Sequence, residues 1–313
     1  MTSVDIIVPC YNEEEGLALF YQETQKVLEQ MKGYTFTYIL VDDGSYDQTL
    51  NEMKKLAVID SHVKFLSFSR NFGKESAMYA GLQASTGDLV IIMDADLQHP
   101  PSMIPLMMKG IEEGYDCAAA RRSSRAGEAP IRSFFSRFFY YLSNQMTNVK
   151  MAYGAVDFRI MTRRMVDAVL KLSEVERFSK GIFAWVGFET KWYPYENVER
   201  AAGTSKWSFW GLFRYALSGI TSFSIVPLRL VALMGIVISL GAFVYILATL
   251  TQTLLFGIDV PGYVTTLCAV LFLGGIIELS LGIVGDYIAH MYMESKKRPI
   301  YILKESNLQD TKE

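Results

Sequence analysis

Two long apolar stretches in the C-terminal third place the strongest constraint on what this 313-residue chain can fold into. Residues 230–256 contain no charged side chain, and neither do residues 262–277. As a helix with a rise of about 1.5 Å per residue, the first stretch would reach roughly 40 Å, more than the ~30 Å hydrocarbon core of a bilayer. The second, continued to residue 284, is also long enough. We therefore predict two membrane-spanning helices, with two buried core helices as the alternative.

The basic residues around these stretches predict their orientation. Arg214 and Arg229 precede the first stretch and residues 296–298 (KKR) follow the second, whereas the connection at residues 257–261 has no lysine or arginine. By the positive-inside rule, both ends are cytoplasmic. The first residues also lack the basic region of a signal peptide. We expect a multi-pass protein of the inner (plasma) membrane with both termini cytoplasmic. Its expected parts are a cytosolic domain at 1–224, a two-span domain at 225–290 and a cytosolic tail at 291–313.

The N-terminal region alternates strand and helix patterns. Apolar runs typical of buried strands occur at residues 5–9, 37–41, 63–67 and 89–93. Helical patterns lie between them, at residues 47–58 and 74–84 and in a first segment that Asn12 would cap, with Glu13, Glu14 and Glu15 in its first turn. This alternation predicts an α/β fold with a doubly wound, mostly parallel sheet and helices on both faces. In such sheets, ligands bind beyond the carboxyl ends of the strands.

Two later segments, at residues 131–147 and 207–223, have the pattern of helices that lie in a membrane surface. In the first, six apolar positions share one helical face: 131, 134, 135, 138, 139 and 142. Its polar positions are Arg132, Ser133, Ser136 and Arg137. The second is rich in Trp and Phe and leads into the first apolar stretch. Ordinary amphipathic core helices are the alternative for both.

Asp94 and Asp96 directly follow the fourth strand pattern. Two carboxylates one residue apart at the end of a buried strand form a hard-oxygen pair suited to Mg²⁺ or Mn²⁺. A divalent ion held there would neutralise a diphosphate leaving group. Acidic turns after strands are common, so the pair alone is a weak signal. The chain has no glycine-rich phosphate-binding motif, so metal and side chains would have to hold any nucleotide phosphates.

Other polar residues fall at the same predicted edge of the sheet. Pro9, Tyr11 and Glu13 follow the first strand and would form one wall of a base pocket. Asp42 and Asp43 follow the second strand and would accept hydrogen bonds from a base or ribose. A plain turn is the alternative for residues 43–45.

Four ordered motifs resemble those of family 2 glycosyltransferases. They are VPCYNE at residues 8–13, VDDGS at 41–45, RNFGK at 70–74 and MDADLQHPP at 93–101. The similarity is greatest to the branch that transfers sugars to polyprenyl phosphate, which includes dolichol-phosphate mannose synthases and bacterial undecaprenyl-phosphate glucosyltransferases. Further matches are the arginines at 121, 122 and 125, DFR at 157–159, R-x-x-G-x-S-K-W at 200–207 and the segment at 282–301. The resemblance thus covers nearly the whole chain.

This resemblance implies a GT-A-type fold and roles for individual residues. The residues implied for the nucleotide sugar are Pro9, Tyr11, Glu13, Asp42, Asp43, Lys74 and Asp94. Those implied for the metal are Asp94, Asp96 and Gln98. Those implied for the lipid phosphate are Arg122, Arg132, Ser136, Arg200 and Lys206. Five arginines between residues 121 and 137, with Glu128 as the sole acid, also match phosphate chemistry, although a solvated basic face is the alternative.

Asp157 resembles the residue assigned as the catalytic base, and with Asp96 it completes the predicted catalytic pair. A phosphate monoester has a second pKa of about 6, so the acceptor is already largely anionic at neutral pH. A general base therefore has little proton to remove. Asp157 could instead orient Arg159 or a neighbouring cation, or form a structural ion pair with Arg159.

Together these features predict an inverting, metal-dependent transfer of a sugar from a UDP-sugar to polyprenyl (undecaprenyl) phosphate. Glucose is the first candidate for the sugar. The reaction would take place at the cytoplasmic membrane face and serve cell-envelope glycan modification. UDP-N-acetylglucosamine, galactose and GDP-mannose are the alternative donors. A processive polysaccharide synthase would need more spans and a Q-x-x-R-W motif, which the chain lacks. A non-catalytic membrane scaffold is the second rival.

The expected partners are the UDP-sugar, the polyprenyl phosphate, the lipid bilayer and further copies of the chain, with no nucleic acid. Glu278 is costly inside a span and is expected to make a packing or oligomer contact, or else to meet the lipid carrier. The three cysteines suggest neither a disulfide nor zinc. The three histidines show no metal-ligand pattern, and His99 alone lies near the metal loop.

Overall fold

The computed structural model describes residues 1–122, 152–195, 226–256 and 262–308. Both predicted interface helices, at 131–147 and 207–223, lie outside these ranges. So do four residues implied for the lipid phosphate: Arg132, Ser136, Arg200 and Lys206. The description below concerns the remaining residues.

An eight-stranded sheet forms the centre of the described N-terminal part, in the order β7-β5-β6-β4-β1-β2-β3-β8. The strands are β1 (Thr2–Cys10), β2 (Tyr34–Asp42), β3 (Val63–Phe68), β4 (Leu89–Ile92), β5 (Cys117–Arg122), β6 (Ala155–Thr162), β7 (Thr190–Tyr195) and β8 (Leu303–Ser306). The first four strands pair in parallel, whereas β6 is antiparallel to β4 and β8 is antiparallel to β3. The predicted α/β fold with a mostly parallel sheet is confirmed.

Helices cover both faces of the sheet because the strands alternate in side-chain direction. Ile6 and Val8 of β1 join one buried cluster, whereas Ile7 joins the other. Side chains of α1 (Leu17–Leu28), α2 (Thr49–Ile59) and α4 (Ile104–Glu112) cover the first face. Those of α3 (Lys74–Ala84), α5 (Arg163–Leu170) and α6 (Ser179–Trp185) cover the second. A short 3-10 helix, Pro101–Met103, precedes α4.

The first helix begins later than the sequence predicts. Asn12 has a φ of 52° and lies in a loop, and helix α1 starts only at Leu17. The Asn12 carboxamide does not cap the helix, because its Oδ1 accepts the backbone N–H of Tyr46 at 2.9 Å. The prediction of an Asn12 cap was therefore wrong. A long-range contact with the loop after β2 replaced the local one.

Two long helices follow, α7 (Val226–Phe256) and α8 (Tyr263–Ser295). Both are long and apolar enough to cross a membrane, and the most apolar windows, Val226–Tyr245 and Phe272–Ser295, are not buried by the rest of the described chain. Large apolar side chains on both helices are more than half exposed, such as Leu233, Phe243, Phe272 and Leu281. This exposure agrees with the two predicted spans. Glu278 is also exposed on α8, and its role stays a prediction.

The tail after α8 returns to the sheet. Strand β8 pairs with the edge strand β3, and Ser69 N–H donates to the carbonyl of Ile302 at 3.0 Å. The Tyr301 ring stacks on Phe68 with centroids 4.9 Å apart, and its hydroxyl donates to Gln83 Oε1 at 2.9 Å. The side chain of Asn307 bonds to the β3 backbone at both ends of its amide. The predicted tail at 291–313 thus contains a strand of the N-terminal sheet, and helix α8 continues past residue 290.

Tyr301→Ala tests whether the tail stabilises the sheet. Loss of a half-buried aromatic ring and its hydrogen bond should cost about 1–3 kcal/mol. Thermal unfolding of the full chain in detergent should therefore show a Tm lower by roughly 3–8 °C. Ile302→Ala is the matched control, because the Ile302 side chain is 52% exposed and such changes usually stay within about 0.5 kcal/mol. Equal Tm values for Tyr301→Ala and the wild type would contradict the packing of the tail.

Candidate active site

The pairing of β4 with β6 builds the centre of the site. The two strands are antiparallel, and Ile92 lies opposite Arg159. Continuing this register beyond β4 places Asp94 opposite Asp157, at the edge where the parallel strands end. Because the two carboxylates stand close together, they require a positive charge between them.

Lys74, the first residue of α3, supplies that charge. Its Nζ lies 2.6 Å from Asp94 Oδ1 and 2.7 Å from Asp157 Oδ2. Burial alone would lower the pKa of Lys74, but the charges of Asp157 and Asp94 raise it above its usual range. The Lys74 side chain is still 36% exposed, so solvent and ligands can reach the cluster. The predicted residues Lys74, Asp94 and Asp157 are therefore brought together.

Positive charge also controls the ionisation of Asp157. Burial alone would raise the pKa of this carboxyl, but neighbouring cations hold it well below its usual range. The cations are Lys74, Lys180 and Arg159. Arg159 acts from a buried position: its guanidinium donates to the backbone carbonyls of Val156 and Asp157 and lies 3.8 Å from the centre of the Phe183 ring. Within the described part of the chain, the Asp157 carboxylate pairs with Lys74 and not with Arg159.

Asp42 and Asp43 hold the loops beside this cluster. Asp42 accepts hydrogen bonds from Ser45 N–H at 2.9 Å and Ser67 Oγ at 2.7 Å. Asp43 accepts the backbone N–H groups of Phe72 and Gly73 at 2.6 and 2.9 Å. Burial raises the pKa of Asp43 to about 6, against the effect of these N–H donors. In this structure both carboxylates hold neighbouring loops through hydrogen bonds. Their contact with a nucleotide stays a prediction.

Gly44 is required for this turn. Its φ is +65°, and a Cβ atom would meet the backbone carbon of Arg70 at 2.4 Å. The loop that carries Asp43 therefore packs directly on the loop that leads to Lys74. The close approach and the hydrogen bonds of Asp43 hold the two loops together, although they are far apart in sequence.

Asp96 and Gln98 lie in the loop after β4, where Leu97 has a φ of 55°. Gln98 N–H donates to Asp96 Oδ1 at 3.1 Å. Within the described residues, no group of three or more His, Cys, Asp or Glu side chains forms a metal site by itself. Mg²⁺ is commonly held by one or two carboxylates together with substrate phosphates. The hard-oxygen donors of Asp94, Asp96 and Gln98 therefore fit a divalent ion that binds together with a diphosphate.

His99 is a buried member of the same loop. Its side chain is 4% exposed and packs between the rings of Phe158 and Tyr195, each with a centroid 5.6 Å away. Neither ring nitrogen has a hydrogen-bond partner among the described residues. The His99 Nδ1 atom lies 3.9 Å from Asp94 Oδ2. Burial lowers the pKa of His99. The neutral ring thus packs the loop after β4 against β6, where it stacks on Phe158, and against β7, where it meets Tyr195 edge to face.

The remaining predicted residues lie around this centre. Arg122 ends β5 and donates from Nε to the Tyr195 hydroxyl at 3.4 Å. Tyr11 packs edge to face against Tyr46, and Glu13 N–H donates to Thr49 Oγ1 at 2.7 Å. Pro9 is partly exposed near the end of β1. Their roles in nucleotide or lipid binding stay predictions.

A cavity of about 400 Å³ lies beside the first loop. It is lined by Asn12, Glu13, Glu14, Glu15, Gly16, Tyr46 and Asp47. Its carboxylates would repel a diphosphate, so the phosphates of a nucleotide do not fit there. The phosphates are better matched by the ammonium of Lys74 and by a metal held at Asp94, Asp96 and Gln98.

Lys180 is the residue that sequence reasoning missed. It lies on α6, more than twenty residues after Asp157, and its charge reaches that carboxylate only through the folded structure. A lone lysine in a short helix carries no local pattern that could have marked it.

Comparison with known proteins establishes the class. Residues 5–170 match the family model described as Glycosyl transferase family 2, and residues 226–291 match the GtrB C-terminal hairpin. The chain therefore belongs to glycosyl transferase family 2 and is a glycosyltransferase, as the motifs indicated. The structure has the GT-A-like mixed sheet that the resemblance implied.

Several relatives named as glycosyltransferases are similar to this chain over nearly its whole length. The chain is 48% identical over 305 residues to the putative glycosyltransferase CsbB of Bacillus subtilis (strain 168), covering 97% of this chain and 92% of the relative. It is 41% identical over 301 residues to the prophage bactoprenol glucosyl transferase homolog of Escherichia coli (strain K12), covering 96% and 98%. The bactoprenol glucosyl transferase of Shigella phage SfX is 40% identical with the same coverage.

One solved structure with a similar fold is glucosyl-3-phosphoglycerate synthase from Mycobacterium tuberculosis, in complex with Mn²⁺ and UDP-glucose. The TM-score is 0.44 at 18% identity, covering 70% of this chain and 77% of that one. The likeness is too distant to transfer ligands or residue roles.

Lys74→Met tests the charge balance of the site. Without the lysine, Asp94 and Asp157 face each other, and one of them should acquire a raised pKa. A carboxyl whose pKa is raised on folding contributes stability below its unfolded pKa and loses it as pH rises through the folded pKa. In EDTA, the Tm of Lys74→Met should thus rise by a few degrees between pH 7 and pH 5, relative to the wild type.

The control for this measurement is Lys171→Met, at an exposed lysine outside the cluster. Its pH dependence should follow the wild type. At pH 7 we expect Lys74→Met to lose about 1–3 kcal/mol, since the pair is only partly buried. Parallel pH curves for all three proteins would contradict the role of Lys74.

Proposed function

We propose that this glycosyltransferase transfers a sugar from a UDP-sugar to polyprenyl phosphate at the cytoplasmic face of the membrane, with glucose as the first candidate for the sugar. The observation that carries the proposal is the cluster of Lys74, Asp94 and Asp157 beside Asp96, at the carboxyl ends of the parallel strands. The same chain continues into a hairpin of two apolar helices, α7 and α8. Relatives named bactoprenol glucosyl transferase, about 40% identical over nearly the full chain, support the lipid acceptor and the glucose. Inner-membrane location, cytoplasmic termini, association of copies and cell-envelope glycan modification belong to the same proposal.

In this reaction, an oxygen of the lipid phosphate attacks the anomeric carbon as the bond to the UDP oxygen breaks. Inversion follows from a single displacement. Asp94, Asp96 and Gln98 would hold Mg²⁺ or Mn²⁺, which when bound would neutralise negative charge on the diphosphate. Lys74 pairs with Asp94 and would add a positive charge beside the diphosphate. The absence of a glycine-rich phosphate loop leaves these side chains as the means of holding the diphosphate.

Asp157 is better suited to orient Lys74 than to remove a proton. Its pKa lies well below the usual range, so it is a weak base. The acceptor phosphate, with a second pKa of about 6, is already ionised at neutral pH. The ion pair at 2.7 Å instead fixes the lysine ammonium next to Asp94.

Asp96→Asn tests the catalytic proposal. Purified protein is incubated with undecaprenyl phosphate, Mg²⁺ or Mn²⁺ and a panel of radiolabelled nucleotide sugars, and the glycolipid product is counted. The variant should lose transfer by roughly 10²–10³-fold, because it weakens a metal interaction worth several kcal/mol. EDTA should abolish wild-type transfer and added metal should restore it.

Asp167→Asn is the matched control, since the Asp167 side chain is 58% exposed on α5. It should transfer sugar as the wild type does. Metal-independent transfer by Asp96→Asn would refute the metal role. Failure of the wild type with every donor would favour a non-catalytic scaffold, and transfer from a donor other than UDP-glucose would reassign the sugar.

Asp157→Asn separates the two roles of that residue. We expect kcat to fall by about 10-fold or more at every pH, because Lys74 loses one of its two counter-charges and is no longer held in place by Asp157. The acidic limb of kcat/KM for undecaprenyl phosphate should remain near pH 6 in both proteins, since it reports ionisation of the acceptor. A profile from pH 5 to 9 checks this. Loss of the limb in the variant alone would establish Asp157 as the base.

A further inference from the structure

Helix α6 is fixed against the elements that carry the catalytic cluster. Ser179 N–H donates to Glu75 Oε2 at 3.0 Å, and the Ser179 hydroxyl donates to the same oxygen. Glu75 directly follows Lys74 in the first turn of α3. The start of α6 is therefore tied to the helix that presents Lys74.

The other end of α6 is fixed to β6. The ring of Phe183 lies 3.8 Å from the Arg159 guanidinium carbon, and Arg159 is held by backbone carbonyls of the same strand. Ser179, Ile182 and Phe183 are buried, whereas Lys180 keeps partial exposure. Lys180 thus lies on a helix that is held against both α3 and β6, close enough for its charge to act on Asp157, and its side chain is partly exposed.

The cations around Asp157 differ in how far their hydrogen-bond donors are already occupied. Lys74 is shared between two carboxylates. Arg159 is 3% exposed, and backbone carbonyls and an aromatic ring occupy its guanidinium. Lys180 has no ion pair or hydrogen bond to any residue that the structure describes. Among the described cations around Asp157, Lys180 is therefore the one whose ammonium is not already paired with a carboxylate or a carbonyl.

We propose that the Lys180 ammonium binds a phosphate group of a substrate, and that this group is the phosphate of the lipid acceptor. The inference rests on the proposed function and adds a residue to its acceptor site. Lys74, Asp94 and Asp157 together carry one net negative charge, which would repel a phosphate monoester of charge −1.5 to −2. Lys180 offsets that charge at the place where the acceptor approaches. Its ammonium offers three rotatable donors to phosphate oxygens.

The diphosphate of the donor has the same chemistry, so the experiment separates the two sources. Lys180→Gln, Lys180→Arg and the control Lys171→Gln are assayed in the full chain in detergent. KM is measured for undecaprenyl phosphate and, separately, for the sugar nucleotide that the wild type uses. We expect Lys180→Gln to raise KM for the lipid phosphate about 10-fold, the loss of one charge-assisted hydrogen bond. KM for the donor should stay within about twofold, and Lys180→Arg should recover most of the loss.

A rise confined to the donor KM would keep Lys180 as a phosphate contact but assign it to the diphosphate. Unchanged KM values for both substrates, equal to those of Lys171→Gln, would overturn the inference. Equilibrium binding of undecaprenyl phosphate without donor gives the same comparison when no turnover occurs. A wild type that binds this lipid through Lys180 but transfers no sugar would refute the proposed function and leave the inference standing. Equal binding by the wild type and Lys180→Gln would refute the inference.

Discussion

The ion pairs of Lys74 are the interaction on which the rest of the site depends. Two carboxylates from neighbouring strands meet at one edge of the sheet, and their mutual repulsion must be offset before either can serve a ligand. The Lys74 ammonium does this at 2.6 and 2.7 Å from Asp94 and Asp157. It thereby joins the start of α3 to the end of β4 and the start of β6.

The loops around this centre are held by their own polar side chains. Asp43 fixes the backbone before Lys74, and Asp42 fixes the turn after β2. His99 holds the loop after β4 against β6 and β7 through ring contacts with Phe158 and Tyr195. Polar groups near the site therefore work mainly to orient one another, whereas Lys180 has no hydrogen bond or ion pair to the described residues.

Among the described residues, the end of the apolar hairpin and the tail after it both contact the N-terminal part. Glu294, near the end of α8, accepts backbone N–H groups of Val175 and Glu176. Strand β8 then completes the edge of the sheet beside β3. The segment that Glu294 contacts leads directly into α6, which carries Lys180. The end of the second apolar helix therefore contacts the segment that leads into α6.

Local patterns in the chain were enough to predict strands β1 to β4 and the helices between them, the two apolar helices, the family and the carboxylate pair. Each depends on local periodicity, charge or short motifs, so neighbouring residues carry the signal. The folded chain was needed to see that β6 runs antiparallel to β4, which brings Asp157 opposite Asp94 from 63 residues away. It also decided that Lys180 joins this cluster, that Asn12 bonds to the next loop instead of capping α1, and that the tail returns as β8. These features depend on register and contact between distant segments, and no local pattern encodes a register.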